Sequence, residues 1–94
     1  MLIARLVFNE AGLDKLARRR IRASEVEQLP RNGAVAVRNP HPRVAGSRLL
    51  IGATDGGRLL TIVVDPDAAD TAIWLVRTGW DASARERNAY QRGG

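Results

Sequence analysis

Two apolar runs, residues 47–54 and 58–65, flank Asp55-Gly56-Gly57, and this arrangement constrains the chain more than any other feature. A glycine-bearing turn between two apolar segments of strand length reads as a β-hairpin, because glycine supplies the backbone freedom of a tight antiparallel connection. Both strands are apolar on both faces. Leu49, Ile51 and Ala53 alternate with Leu50 and Gly52, and Leu59 and Val63 alternate with Leu60, Ile62 and Val64. Such strands belong in the middle of a sheet that is covered on both sides.

The rest of the chain supplies the cover. Residues 2–8 predict a first strand. Ala11, Leu13, Leu16, Ala17 and Ile21 recur at roughly helical spacing, which predicts an amphipathic helix over 11–20. Arg18, Arg19 and Arg20 crowd its end, where cations suit the helix dipole. Ser24-Glu25-Val26-Glu27 fits a capping box for a second short helix, ended by Pro30 and followed by an Asn32-Gly33 turn. Residues 34–38 predict a short strand, and 39–46, with two prolines, a loop. Another loop starts at Asp65-Pro66-Asp67, and 71–77 predict the last strand. Ser83-Ala84-Arg85-Glu86 is a second capping box, opening a helix to about Gln91, beyond which Gly93 and Gly94 should fray. The order β-α-α-β-β-β-β-α is that of the α+β class, with N-terminal helices on a mainly antiparallel sheet. The short C-terminal helix leaves part of its face uncovered, a surface for a protein partner or a second copy.

With 94 residues, 1–94 reads as a single domain, since a second could not bury its own core. Cysteine is absent, so disulfides, thiolate metal sites and a cysteine nucleophile are excluded, which fits a cytoplasmic setting. Met1–Phe8 is interrupted by Arg5 and no small-residue cleavage site follows, so no signal peptide is expected. The longest apolar run, Leu59–Val64, is too short to span a bilayer, so no membrane role is expected either. Charge is the strongest clue to a partner. There are 15 Lys plus Arg against 10 Asp plus Glu, a net +5, and Lys15 is the sole lysine. The arginine fork matches phosphate and stacks on bases, so the surplus points to RNA, or to an acidic protein. A coding bias toward arginine codons would also favour arginine over lysine.

Several motifs together resemble the BrnT toxins of the RelE-like ribonuclease superfamily. Phe8-Asn9-Glu10 resembles the family's aromatic-acidic opening, and Leu16 to Glu27 its first helix, turn and second helix. Arg48-Leu49-Leu50-Ile51-Gly52 with Asp55-Gly56-Gly57-Arg58-Leu59-Leu60-Thr61 resembles its central hairpin. Glu86-Arg87-Asn88-Ala89-Tyr90 resembles its Glu-Arg-x-x-Tyr helix. Arg19-Arg20 stands where the family has His-Gly, and Gly79-Trp80 where it has Ala-Arg; that arginine is activity-linked, and Arg77 or Arg85 would have to serve instead. The resemblance implies a RelE-like fold and the toxin half of a type II toxin–antitoxin pair. It implies a metal-independent endoribonuclease that cleaves mRNA and inhibits translation, and a small antitoxin, with operator DNA bound through the complex. A non-catalytic RNA- or protein-binding module of the same fold is the alternative.

RNA can be cut without metal by its own 2′-hydroxyl, given a proton acceptor, a proton donor and cations at the phosphorane. Arg77, Arg85 and Tyr90 are the candidate catalytic residues, clustered about the end of the last strand and the start of the final helix. Arg48, Arg58, Trp80 and Arg87 are the candidate nucleic-acid contacts; Trp80, in a loop, would stack on a base or anchor a partner, with core packing as the competing reading. A strand end beside a helix N-terminus suits phosphate. The competing reading leaves Arg85 and Arg87 solvated and packs Tyr90 over the sheet. His41 is the only histidine, which rules out a two-histidine mechanism; it lies in a loop near where the family often carries one. No cofactor or metal is expected: Asp65, Asp67 and Asp70 read as turn-making, solvated residues. Trp74 reads as core.

Overall fold

The computed structural model describes residues 3–93. The expected start of the first strand at Leu2 and the fraying of Gly94 lie outside these residues. Five strands and three helices follow in the order β1 (Arg5–Phe8), α1 (Glu10–Arg18), α2 (Ala23–Arg31), β2 (Val35–Arg38), β3 (Arg48–Ala53), β4 (Leu59–Pro66), β5 (Ile73–Asp81) and α3 (Ala84–Gln91). They form one sheet, β1-β5-β4-β3-β2, antiparallel except that β1 runs parallel to β5. The fold is therefore α+β. No described helix is long and apolar enough to cross a membrane.

The central hairpin forms as its sequence requires. Gly57 takes φ +86 in the turn, Thr54 N–H donates to the Arg58 carbonyl at 2.8 Å, and β3 pairs with β4 from Arg48↔Val64 to Ala53↔Leu59. One face of the sheet meets α1 and α2. Leu16, Ile21, Val26 and Leu29 pack there with Leu50, Leu60, Ile62, Val64, Trp74 and Val76. The other face is smaller: Leu49, Ile51, Val63 and Ala82 are buried there, with Val35, Val37, Leu59, Trp80, Ala89 and Tyr90 packed beside them. Alternation along β3 and β4 thus feeds two cores, as strands apolar on both faces must.

Several boundaries differ from the sequence reading, each for a local reason. Helix α1 starts at Glu10, because Asn9 caps it by accepting from Gly12 N–H at 2.8 Å, and it ends at Arg18. Helix α2 starts at Ala23, not Ser24: Glu25 reaches back to the Arg22 N–H at 3.0 Å, which makes Arg22 the N-cap and leaves Ser24 inside the first turn. Pro30 falls inside its last turn. Strand β4 runs on through Asp65 and Pro66. Strand β5 starts at Ile73, later than expected, and extends to Asp81, so Gly79 and Trp80 are strand residues and not a loop. The extension rests on a β-bulge. Val63 pairs with Thr78 while Val64 pairs with Val76, leaving Arg77 as the extra residue.

The bulge coincides with the end of β1, whose Phe8 pairs with Val76. Beyond it α1 swings across the freed edge of β5. At Gly12 the helix lies so close that a Cβ would stand 2.5 Å from the Val76 carbonyl oxygen, so only glycine fits.

Candidate functional site

The bulge re-aims side chains. Trp74 and Val76 face α1 and α2, whereas Arg77, Thr78 and Trp80 line a cleft of ≈ 350 Å³ on the opposite face. Lys15 comes to this cleft from α1, and His41 and Arg43 from the 39–47 loop; Glu86 lies beside them at the start of α3. The loop is braced. Buried Asn39 donates from Nδ2 to Ser47 Oγ at 3.0 Å and accepts from His41 N–H at 3.0 Å. Ser47 Oγ donates in turn to the Val64 carbonyl at 3.4 Å. Three cationic side chains and the only histidine, from three separate segments, therefore share one opening.

Two carboxylates set the electrostatics. Asp65, 4% exposed, accepts from Arg77 on a single oxygen, Oδ2, at 2.7 Å from Nε and 2.6 Å from Nη2. This corrects the turn-making reading of Asp65. Asp67 and Asp70 do make turns, accepting from the N–H groups of Ala69, Asp70 and Ala72. Glu86 Oε1 accepts from Ser83 N–H at 2.8 Å, Trp80 Nε1 at 3.0 Å and Thr61 Oγ1 at 3.0 Å. Partial burial pushes the Glu86 carboxyl up, but these donors outweigh it and hold the group below the usual glutamate range. Glu86 thus anchors α3 to β4 and β5 through these bonds. It also closes the capping box of α3, whose Glu86 N–H is held by Ser83 Oγ at 3.2 Å.

The sequence-predicted residues scatter. Arg77 is in the cleft, in mid-strand and not at a strand end. Trp80 lines it, with its indole N–H committed to Glu86. Arg85 lines an adjoining cleft with Val37, Pro40, Leu49 and Ala89. Arg87, about 200° further round the helix, contributes to holding the Asp81 carboxyl down, after the larger effect of Arg58. Tyr90 packs its half-buried ring against the second core. Arg58 belongs to the other side of the sheet. It donates to the Arg20 and Arg19 carbonyls at 2.7 and 3.0 Å and pairs with Asp81 at 2.8 Å and Glu25 at 3.7 Å. By the alternation of β3, Arg48 shares the face of Leu50, opposite α3.

The sequence reading missed Lys15, Arg43, Asp65 and Glu86 as members of this group. A signal for Arg43 was present: residues 28–54 hold four arginines and no acidic residue. Nothing local marks Lys15, which depends on the path of α1 over the bulge. Comparison with family models, curated proteins and solved structures finds no match to this chain.

Proposed function

We propose that this chain binds single-stranded RNA across the cleft and cuts it without a metal ion, as the toxin half of a type II toxin–antitoxin pair. The observation that carries the reading is the convergence of Lys15, Arg43, Arg77 and His41 on one opening. Lys15 and Arg43 would hold the phosphate, and Arg77, fixed by Asp65, would face the charge that grows on the phosphorane. Imidazole is the side chain suited to move protons near neutral pH, so His41 would take the 2′-hydroxyl proton or return one to the departing 5′-oxygen. A RelE-like fold is supported by the element order and by one backbone detail. Arg20 adopts φ +58 at the position where the resembled family has glycine. The neutralising partner would be small, acidic and apolar in part; the open strip of Val7, Val44, Pro66 and Leu75 beside the cleft offers a surface for its apolar part, and the cleft's cations one for its acidic part.

Two observations favour the second reading, RNA binding without cleavage: Arg77 is already paired with Asp65, and Glu86 Oε1 already accepts from Ser83, Trp80 and Thr61. A labelled single-stranded RNA separates the two. Cleavage that survives chelator and falls at least ~100-fold in His41→Ala, with binding retained, supports catalysis. Binding by the wild type without any cleavage leaves the binding module. Failure of Lys15→Ala and Arg43→Ala to weaken binding overturns the site.

A further inference from the structure

The cleft does not account for most of the positive charge. Residues 28–54 carry four of the chain's net five positive charges, and of these only Arg31 forms an ion pair, with Asp55. Arg43 is at the cleft. The other two, Arg38 and Arg48, are direct cross-strand partners in the last pair of β2 and β3. Both are exposed, and among the described residues neither forms an ion pair. Together they line a second opening of ≈ 340 Å³ at the stem of the 39–47 loop, with Asn39, Pro42, Gly46 and Ser47 and no carboxylate. Like charges placed directly opposite on antiparallel strands repel. Here no ion pair among the described residues offsets the repulsion, and the braced loop holds the two stems together. A bound polyanion would relieve it.

We propose that Arg38 and Arg48 form a second phosphate-binding surface, which grips the backbone of single-stranded RNA where the strand passes over the 39–47 loop out of the cleft. The inference rests on the RNA-binding reading above and extends it: the substrate is a strand several nucleotides long, held on both sides of the loop. Its contacts are to phosphate, so they carry affinity and salt dependence without base preference.

The test compares Arg38→Gln/Arg48→Gln with the wild type by fluorescence anisotropy, using 2′-O-methyl RNA, which cannot be cut, as a trimer and as a 15-mer. The double variant should bind the 15-mer about ten-fold more weakly at 0.1 M salt, with a log–log salt slope shallower by about 1.4, and the trimer unchanged. Its melting temperature should be equal or higher, since a repulsive pair is removed. Equal 15-mer binding by variant and wild type, or equal losses on trimer and 15-mer, overturns the second surface while leaving the cleft reading intact. A polyglutamate peptide bound as tightly as the 15-mer and lost in the same variant overturns RNA as the occupant. A wild type that binds neither oligonucleotide overturns the cleft reading itself.

Discussion

Arg20 and Arg58 show how arginine, the residue most suggestive of RNA here, is also used as structural material. Arg20 sits at φ +58, a conformation that burdens any residue with a Cβ. Its backbone is held there because its carbonyl accepts from Arg58 at 2.7 Å. Arg20→Gly keeps that carbonyl and removes the strain, so it should raise unfolding free energy by about 0.5–1 kcal/mol in a denaturant titration. A lower value would mean that the Arg20 side chain makes a contribution larger than the strain. Arg58 satisfies two carbonyls of the turn after α1 and two carboxylates, from α2 and β5, at once. Its removal should destabilise by about 2 kcal/mol while leaving RNA affinity unchanged, because it faces away from the cleft. A weakened RNA affinity with unchanged stability would return Arg58 to the binding surface.

At the scale of elements, α3 depends on one carboxylate. It buries no residue of its own fully, and Glu86 links it to β4 through Thr61 and to β5 through Trp80. Glu86→Ala leaves the buried Thr61 hydroxyl without its acceptor and removes half the capping box, and should cost about 2–3 kcal/mol. The pH dependence has a definite sign. Glu86 and Asp81 both lie below their ordinary carboxylate values in the folded state, Glu86 through its donors and Asp81 chiefly through the hydrogen bond from Arg58. The unfolded chain therefore binds protons first as pH falls, so this stability is present above the ordinary carboxylate range and is lost as pH drops from about 5 through the folded values. Thermal melting between pH 6 and pH 3 should show the loss, reduced in Glu86→Ala; an undiminished slope would assign it to other carboxylates. The capping box and the hairpin were legible in sequence because each is closed within a few residues. The length of β5 was not. Gly79-Trp80 looks like a loop until the bulge at Arg77 and the packing of α1 are known, and both depend on β1 pairing with a strand more than sixty residues away. The cleft inherits that limit: His41 was visible as a lone histidine, but its company comes from tertiary structure.

For the whole molecule, the decisive quantity is where the charge lies. Ion pairs gather Arg58, Asp81 and Glu25 near the ends of α1 and β5, and Arg77 is neutralised by Asp65. Among the described cations without an ion pair, Arg38, Arg43 and Arg48 stand close in sequence on β2, β3 and their loop, a stretch with no acidic residue. Salt acts oppositely on the two groups. Screening weakens exposed ion pairs, but these contribute little, typically below about 1 kcal/mol each, and the Arg77–Asp65 pair is sheltered from it by burial. Screening also relieves the repulsion among Arg38, Arg43 and Arg48, none of which forms an ion pair among the described residues. Raising salt from about 0.01 M to 0.15 M shortens the screening length from about 30 Å to about 8 Å, comparable with the spacing of neighbouring side chains on one hairpin. The folded chain should therefore melt about 2–4 °C higher at 0.15 M than at 0.01 M salt, while its affinity for RNA falls over the same range. In Arg38→Gln/Arg48→Gln most of the melting gain should vanish, because the repulsion that salt relieves has gone. A wild type that melts lower as salt rises would mean that the ion pairs dominate the balance, and the hairpin would then not be the seat of the molecule's electrostatic strain.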